Sequence, residues 1–283
     1  MKNKRTVATL AQMKANGEKI SQVTCYDYTT AKLVETSGID MILVGDSLGM
    51  TMQGYKDTLP VTVDEMIVYG RSVVRGCENT FVVVDMPFMS YQVSVEQALT
   101  NAGRIMKETG ASAIKLEGGK DVCPQIKAIT NAGIPVVAHI GMTPQSVNAF
   151  GGFKVQGKGE ENAKRVLEDA LAVQEAGAFA VTLECVPPKL AALITKKLDI
   201  ITIGIGASCE CDAQVLVYQD MLGMSGDFVP KFAKQFKEIG KEMIEAFNKY
   251  DEEVKAKTYP AVEHTYVKSD CDDEFLDKLD KEY

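Results

Sequence analysis

Met41-Ile42-Leu43-Val44-Gly45-Asp46-Ser47-Leu48-Gly49-Met50 is the stretch whose reading decides the fold. Four apolar residues run into a carboxylate, a hydroxyl and two glycines. A continuous apolar run of this length reads as a strand buried on both faces. The glycines let the backbone turn at its C-terminal end, where Asp46 and Ser47 are delivered. The pattern recurs along the chain. Phe81 to Val84 ends on Asp85, Ala113 to Leu116 on Glu117, Val136 to Ala138 on His139, and Ala180 to Leu183 on Glu184. Each run is followed by a helical stretch.

Working outward, the pattern predicts a helical lead-in over Thr6–Ala15. Strands are expected at Ile20–Cys25, Met41–Asp46, Thr80–Asp85, Ser112–Glu117, Ile134–His139, Phe179–Glu184, Ile200–Gly204 and Gln214–Tyr218. Helices are expected between them. Thr62 with Glu65 forms a capping box for a helix to about Val74. Ser94 caps the next, which ends near Gly110. Others run over Thr29–Ser37, Val122–Asn131, Glu160–Ala176 and Pro187–Lys197. A long helix opening at Pro230 and reaching about Lys255 would be the eighth barrel helix. Eight strands alternating with helices in 283 residues predict a single (β/α)8 TIM barrel with an N-terminal helical lead-in and a C-terminal helical extension. A doubly wound open sheet is the alternative, but polar residues at so many strand ends suit a closed ring better. The catalytic domain is placed at 1–266 and an acidic tail at 267–283, and Thr258 to Tyr283 is expected as a packed-down arm ending in a mobile acidic stretch.

A net charge of −8 argues against a general nucleic-acid binder. No apolar run is long enough for a membrane span. The basic start, Met1 to Arg5, is not followed by the apolar segment of a secretory signal. Seven cysteines, an odd number without paired metal-ligand spacing, read as reduced thiols in a cytoplasmic protein. Cys209 and Cys211 form a C-x-C, a weak metal signal on its own.

Residues two apart on a strand share a face, so Lys115 and Glu117 point the same way. Asp46, Asp85, Glu117, Lys115, His139 and Glu184 are therefore expected to converge at the barrel mouth. Three carboxylates without a thiolate pair suit a hard cation, Mg2+ with Mn2+ as substitute. Glu184, from the far side of the ring, is free to act as a base. The bland readings are a turn-forming Asp, a hydrogen-bonded core His and a Lys115 salt bridge to Glu117 or Asp85. For three carboxylates on successive strands, chance is a poor explanation. Gly152 to Gly159 reads G-x-x-x-x-G-K but then has Gly where a P-loop needs Ser or Thr, so it is taken as a loop. Gly204-Ile205-Gly206 stands where barrels often bind phosphate, and reads equally as a tight turn.

These residues also carry a resemblance. Tyr26-Asp27-Tyr28, Val44 to Met50, Leu59-Pro60-Val61-Thr62, Asp85-Met86-Pro87-Phe88-Met89, Lys115 to Gly119, His139 with Gly141, Thr143-Pro144-Gln145-Ser146 and Leu183 to Pro187 resemble the ketopantoate hydroxymethyltransferase family, of the phosphoenolpyruvate mutase/isocitrate lyase-like barrels. Pro230 to Ala233 and Tyr259-Pro260 with Glu263-His264 extend the match to about Tyr266. The chain departs from the family pattern at Cys25, Ser208 and Ala213, and the resemblance does not account for the acidic end.

The resemblance implies that Asp46 and Asp85 bind Mg2+, with Glu117 completing the site directly or through water. It implies that Asp46, Ser47, Asp85 and Lys115 hold a 2-oxo acid, that His139 lines the pocket and that Glu184 accepts a proton. The implied reaction transfers a hydroxymethyl group from 5,10-methylenetetrahydrofolate to 3-methyl-2-oxobutanoate, giving 2-dehydropantoate on the route to pantothenate and coenzyme A. A related Mg2+-dependent lyase or mutase of another 2-oxo acid is the alternative. The implied assembly is a homo-oligomer, a decamer.

Overall fold

A computed structural model describes residues 3–152, 155–226, 229–266 and 271–283. Eight parallel strands close into a barrel in chain order: β1 Ile20–Thr24, β2 Met41–Val44, β3 Phe81–Asp85, β4 Ala113–Glu117, β5 Val136–Gly141, β6 Ala180–Glu184, β7 Ile201–Ile205 and β8 Ala213–Leu216. The helices are α1 Val7–Ala15, α2 Tyr28–Thr36, α3 Leu48–Thr51, α4 Val63–Arg75, α5 Val95–Thr109, α6 Cys123–Asn131, α7 Val147–Phe150, α8 Glu160–Glu175, α9 Pro188–Lys197, α10 Tyr218–Met221, α11 Ile239–Lys255 and α12 Asp273–Glu282. The closed ring disposes of the open-sheet alternative.

Alternation along the strands sorts the side chains into two apolar layers. Ile42, Val44, Val82, Val84, Ile114, Leu116, Val181 and Leu183 face outward and pack under the helices. Met41, Leu43, Phe81, Val83, Ala113, Val137, Ala180, Ile201 and Ile203 face inward and fill the lower barrel. Leu10 and Met13 of α1 join this inner layer and close the N-terminal end. Lys14 fastens α1 there, donating to the Ile200 carbonyl and pairing with Asp212 at 2.7 Å.

The expected caps are present. Thr62 Oγ1 accepts from Glu65 N while Glu65 accepts from Thr62 N, and Ser94 accepts from Gln97 N. Gly110, at φ +78°, ends α5 in the left-handed conformation that favours glycine.

Two expectations fail for tertiary reasons. β5 runs two residues past His139, because Ile140 and Gly141 pair with Leu183 and Glu184. The helix expected from Pro230 begins only at Ile239. Phe236 N and Ile239 N donate instead to the Met221 and Leu222 carbonyls, which holds the preceding segment as turns. Nor does α11 serve as a barrel helix, since none of its residues is buried. Of the segment expected as a packed-down arm, Thr258 to Tyr283, residues 258–266 touch α11 through Tyr259 on Tyr250 but are otherwise largely exposed. Residues 267–270 lie outside the described residues, and α12 beyond them is exposed almost throughout.

Candidate active site

The inward series continues upward from the apolar layer. Two residues above Val83 is Asp85; above Ala113 come Lys115 and Glu117; above Val137 is His139; above Ala180 come Thr182 and Glu184. All are buried. Strand register then sets their neighbours. Asp85 stands level with Lys115, and Glu117 level with His139. Asp46 lies two residues beyond β2, where Gly45 turns the chain; a side chain at Gly45 would stand 2.8 Å from Ser47 Oγ.

Lys115 sits among the carboxylates. Its Nζ is 2.9 Å from Asp85 Oδ1, an ion pair rather than an aligned hydrogen bond. Asp85 Oδ2 accepts from Asp46 N at 3.1 Å. His139 lies between two acids, with Nδ1 3.4 Å from Glu117 Oε1 and Nε2 3.2 Å from Glu184 Oε2. Lys115 Nζ is also 3.4 Å from His139 Nδ1. The six residues expected at the barrel mouth do meet, Asp46 by way of the turn at Gly45 and the others by strand alternation. Ser47 adjoins them, its Oγ 2.8 Å from Tyr26 OH.

Burial and crowding set the protonation. Burial, then the charges of Asp85 and Glu117, push the Asp46 carboxyl well above the usual range against Lys115 and a Gln145 hydrogen bond. Burial also raises Asp85, opposed by Lys115. Burial alone would lower Lys115, but Asp85, Glu117 and Asp46 outweigh it and hold the ammonium charged. His139 is likewise opposed by burial and by Lys115, yet Glu117 and Glu184 lift it to about 9.

Sequence reasoning assigned no role to two residues on loops. Gln145, four residues past β5, donates Nε2–H to Asp46 Oδ2 at 2.8 Å and to the Met86 carbonyl at 3.0 Å. Its backbone N–H donates to Glu117 Oε2 at 3.0 Å. Tyr91 OH lies 2.7 Å from Gln145 Oε1 and accepts from Glu117 N at 3.0 Å. The Thr143 to Ser146 run was visible in the sequence, but no periodicity marks which of its side chains turns inward.

Backbone strain flanks Glu184. Cys185, next after Glu184, has φ +50°, and Met89, in the loop that follows Asp85, has φ +62°. Left-handed non-glycine residues of this kind cost about 1–3 kcal/mol each and gather at functional sites. Gly141, at φ +92°, lets β5 pass Glu184; a Cβ there would stand 2.4 Å from the Glu184 carbonyl oxygen.

The carboxylates fit a divalent cation in a particular way. Asp85 Oδ1 meets the Lys115 ammonium at 2.9 Å and Glu117 Oε1 meets His139 Nδ1 at 3.4 Å, and each carboxylate oxygen keeps a further lone pair that a hard cation can take. Among the described residues no group of three or more His, Cys, Asp or Glu side chains is gathered closely enough to hold a metal ion unaided. Mg2+ keeps several waters and takes one or two protein carboxylates, so it does not require a complete protein cage. Elsewhere the metal signals fade. Cys209 is exposed while Cys211 is buried, so the C-x-C pair does not present two thiols to one site. Gly206 is a tight turn at φ +59° under Phe232. In the G-x-x-x-x-G-K run, residues 153 and 154 lie outside the described residues.

The family model described as ketopantoate hydroxymethyltransferase matches residues 4–262. The chain belongs to this family. A 3-methyl-2-oxobutanoate hydroxymethyltransferase of Clostridium novyi (strain NT) is 59% identical over 276 residues, which cover 98% of this chain and 99% of that protein. One from Enterococcus faecalis (strain ATCC 700802 / V583) is 57% identical over the same length and coverage. As a member of the ketopantoate hydroxymethyltransferase family the chain is a transferase enzyme of the pantothenate pathway. Solved structures of the wider barrel group share its fold. Phosphoenolpyruvate phosphomutase from Streptomyces platensis subsp. rosaceus superposes with a TM-score of 0.61 at 15% identity, over 98% of each chain. Phosphonopyruvate hydrolase, solved with oxalate and Mg2+, superposes at 0.59 and 11% identity, over 98% of this chain and 96% of that one. Among the described residues no helix is long and apolar enough to cross a membrane.

Proposed function

We propose that this barrel transfers a hydroxymethyl group from 5,10-methylenetetrahydrofolate to 3-methyl-2-oxobutanoate, with Mg2+ held by Asp46 and Asp85 and by Glu117 directly or through water. Family membership supports the substrate. The observation that carries the chemistry is the meeting of Asp46, Asp85 and Glu117 around Lys115, with His139 and Glu184 on the other side of the same mouth. The Mg2+-bound barrel of the phosphonopyruvate hydrolase is in keeping with the metal, though that likeness is one of fold alone.

When bound, the cation polarises the 2-oxo group and offsets charge that develops on its oxygen. The chain's own residues do the rest. Lys115 stays cationic and faces the substrate's negative charge. Tyr26, which burial keeps protonated, can donate to Ser47 Oγ and so free the serine hydroxyl for the substrate carboxylate. Glu184 takes the C3 proton, and the C–H electron pair becomes the enolate. His139, beside both Glu117 and Glu184, orients the base and steadies its charge. C3 then bonds to the methylene carbon, whose two bonds to folate nitrogens are replaced by one to C3 and one to the oxygen of water, the nitrogens taking up protons. With net uptake of one water, the products are 2-dehydropantoate and tetrahydrofolate.

The test is NMR in D2O. Exchange of the C3 proton of 3-methyl-2-oxobutanoate should require both protein and Mg2+, and 2-dehydropantoate should appear when methylenetetrahydrofolate is added. Exchange without product would point to another electrophile. No exchange in folded, Mg2+-supplied protein would overturn the reading.

We also propose a cytoplasmic homo-oligomer, a decamer by resemblance. Met243, Phe247, Tyr250 and Val254 recur at helical spacing along α11 and are all exposed, a stripe that a further copy of this chain would cover. Light scattering after size exclusion should give a multimer, reduced in size by Phe247→Asp.

A further inference from the structure

We propose that Gln145 is a positioning residue for the transfer reaction: it holds the Asp46 and Glu117 carboxylates in the orientation that faces the cation, and Tyr91 sets the direction of its amide. The inference rests on the metal-site reading above.

Gln145 spends every group it has on this task. Both side-chain hydrogens are used, on Asp46 Oδ2 at 2.8 Å and the Met86 carbonyl at 3.0 Å. Its backbone N–H reaches Glu117 Oε2 at 3.0 Å. One loop residue thus ties the ends of β2, β3 and β4 to the segment after β5, and two of its three donors end on carboxylates of the candidate site. The amide has one usable orientation. Turned over, Oε1 would face Asp46 Oδ2 and the Met86 carbonyl, three acceptors together in a buried space. Tyr91 enforces the first orientation by offering its hydroxyl proton to Oε1 at 2.7 Å, the nearer of its two acceptors, the other being the Glu117 carbonyl at 3.1 Å, with Gln92 Nε2 a second donor at 3.3 Å. Tyr91 is in turn fixed by accepting from Glu117 N at 3.0 Å. The chain of contacts returns to the residue it serves.

Partners behind a ligand fix its rotamer, and losing one costs 10–100-fold in metal affinity as an order of magnitude. The backbone bond to Glu117 survives any substitution of Gln145, so the loss should be partial.

The probe is Mn2+, counted by the EPR signal of the free ion, on the full chain with folding checked by circular dichroism. Gln145→Ala should raise the Mn2+ Kd about 10-fold or more. Saturating metal should restore much of the exchange rate, a split that a purely structural role would not give. Tyr91→Phe, a milder change, should raise Kd several-fold; it keeps the test alive should Gln145→Ala fail to fold. Wild-type Mn2+ affinity in whichever of the two variants folds overturns the inference, provided Asp46→Ala abolishes binding. Wild-type affinity in Asp46→Ala overturns the metal-site reading and the inference with it.

Discussion

Lys115→Met keeps the length and the apolar stem of the side chain and removes its charge. In the native barrel that charge lies 2.9 Å from Asp85 Oδ1, and both side chains are almost wholly buried. At an effective dielectric of ~20 the attraction is about 6 kcal/mol before desolvation is subtracted. Breaking one side of such a buried pair costs ~3–5 kcal/mol. A chain of 283 residues has an unfolding entropy of about 0.6 kcal/mol/K, so the melting temperature should fall by about 5–8 °C.

The size of the fall should depend on pH. Asp46 and Asp85 already lie above the usual carboxylate range through burial, and losing Lys115 pushes them higher. A raised folded pKa contributes stability below the unfolded value, near pH 4, and that contribution is lost as pH rises through the folded value. The deficit should therefore be small at pH 5 and largest at pH 8. Mg2+ should narrow it, because the cation supplies the missing charge. The assay is thermal unfolding at one protein concentration, in EDTA and in excess MgCl2, across that pH range. Equal melting of variant and wild type in EDTA at pH 8 would refute the idea that Lys115 compensates these carboxylates.

Glu184→Gln should keep Mn2+ binding but slow C3 exchange by about 100-fold or more, as the loss of a general base does; EPR and NMR read the two. In metal-free protein, His139 near 9 instead of 6.5 contributes stability that is complete below pH 6.5 and lost as pH rises to about 9. The wild-type urea midpoint should fall over that window, and His139→Gln should lack the step. Gly141→Ala puts a Cβ on the Glu184 carbonyl at a positive φ, so activity and melting temperature should fall together. Thr62→Ala, away from the mouth, should cost ~1 kcal/mol by denaturant titration and leave the exchange rate unchanged.

The barrel and the acids of β3, β4 and β6 were legible in the sequence because they follow from a period of two, while Asp46, out of phase with Met41 and Leu43, is carried inward by the turn at Gly45. Once Val83, Ala113, Val137 and Ala180 are inward, Asp85, Lys115, Glu117, His139 and Glu184 must be too. Capping residues were legible because they act over three positions, as with Thr62 and Glu65. What escaped lies where contacts are set by the tertiary fold. Gln145 bonds to Asp46, 99 residues away in sequence, and nothing local announces it. The start of α11 was misread because Phe236 and Ile239 give their N–H groups to Met221 and Leu222, an exchange no helix propensity foresees.

Leu10 and Met13, sealing the barrel's lower end, have a kinetic consequence. A vessel with one door imposes a queue. The 2-oxo acid, bound against Asp46, Asp85 and Lys115, would lie deeper than any molecule that meets it from outside. On the proposed reaction it would then enter before the folate, and 2-dehydropantoate, made in the same depth, would leave after tetrahydrofolate has gone. Steady-state rates should show that order, with 2-dehydropantoate competing against the 2-oxo acid but inhibiting noncompetitively against the folate.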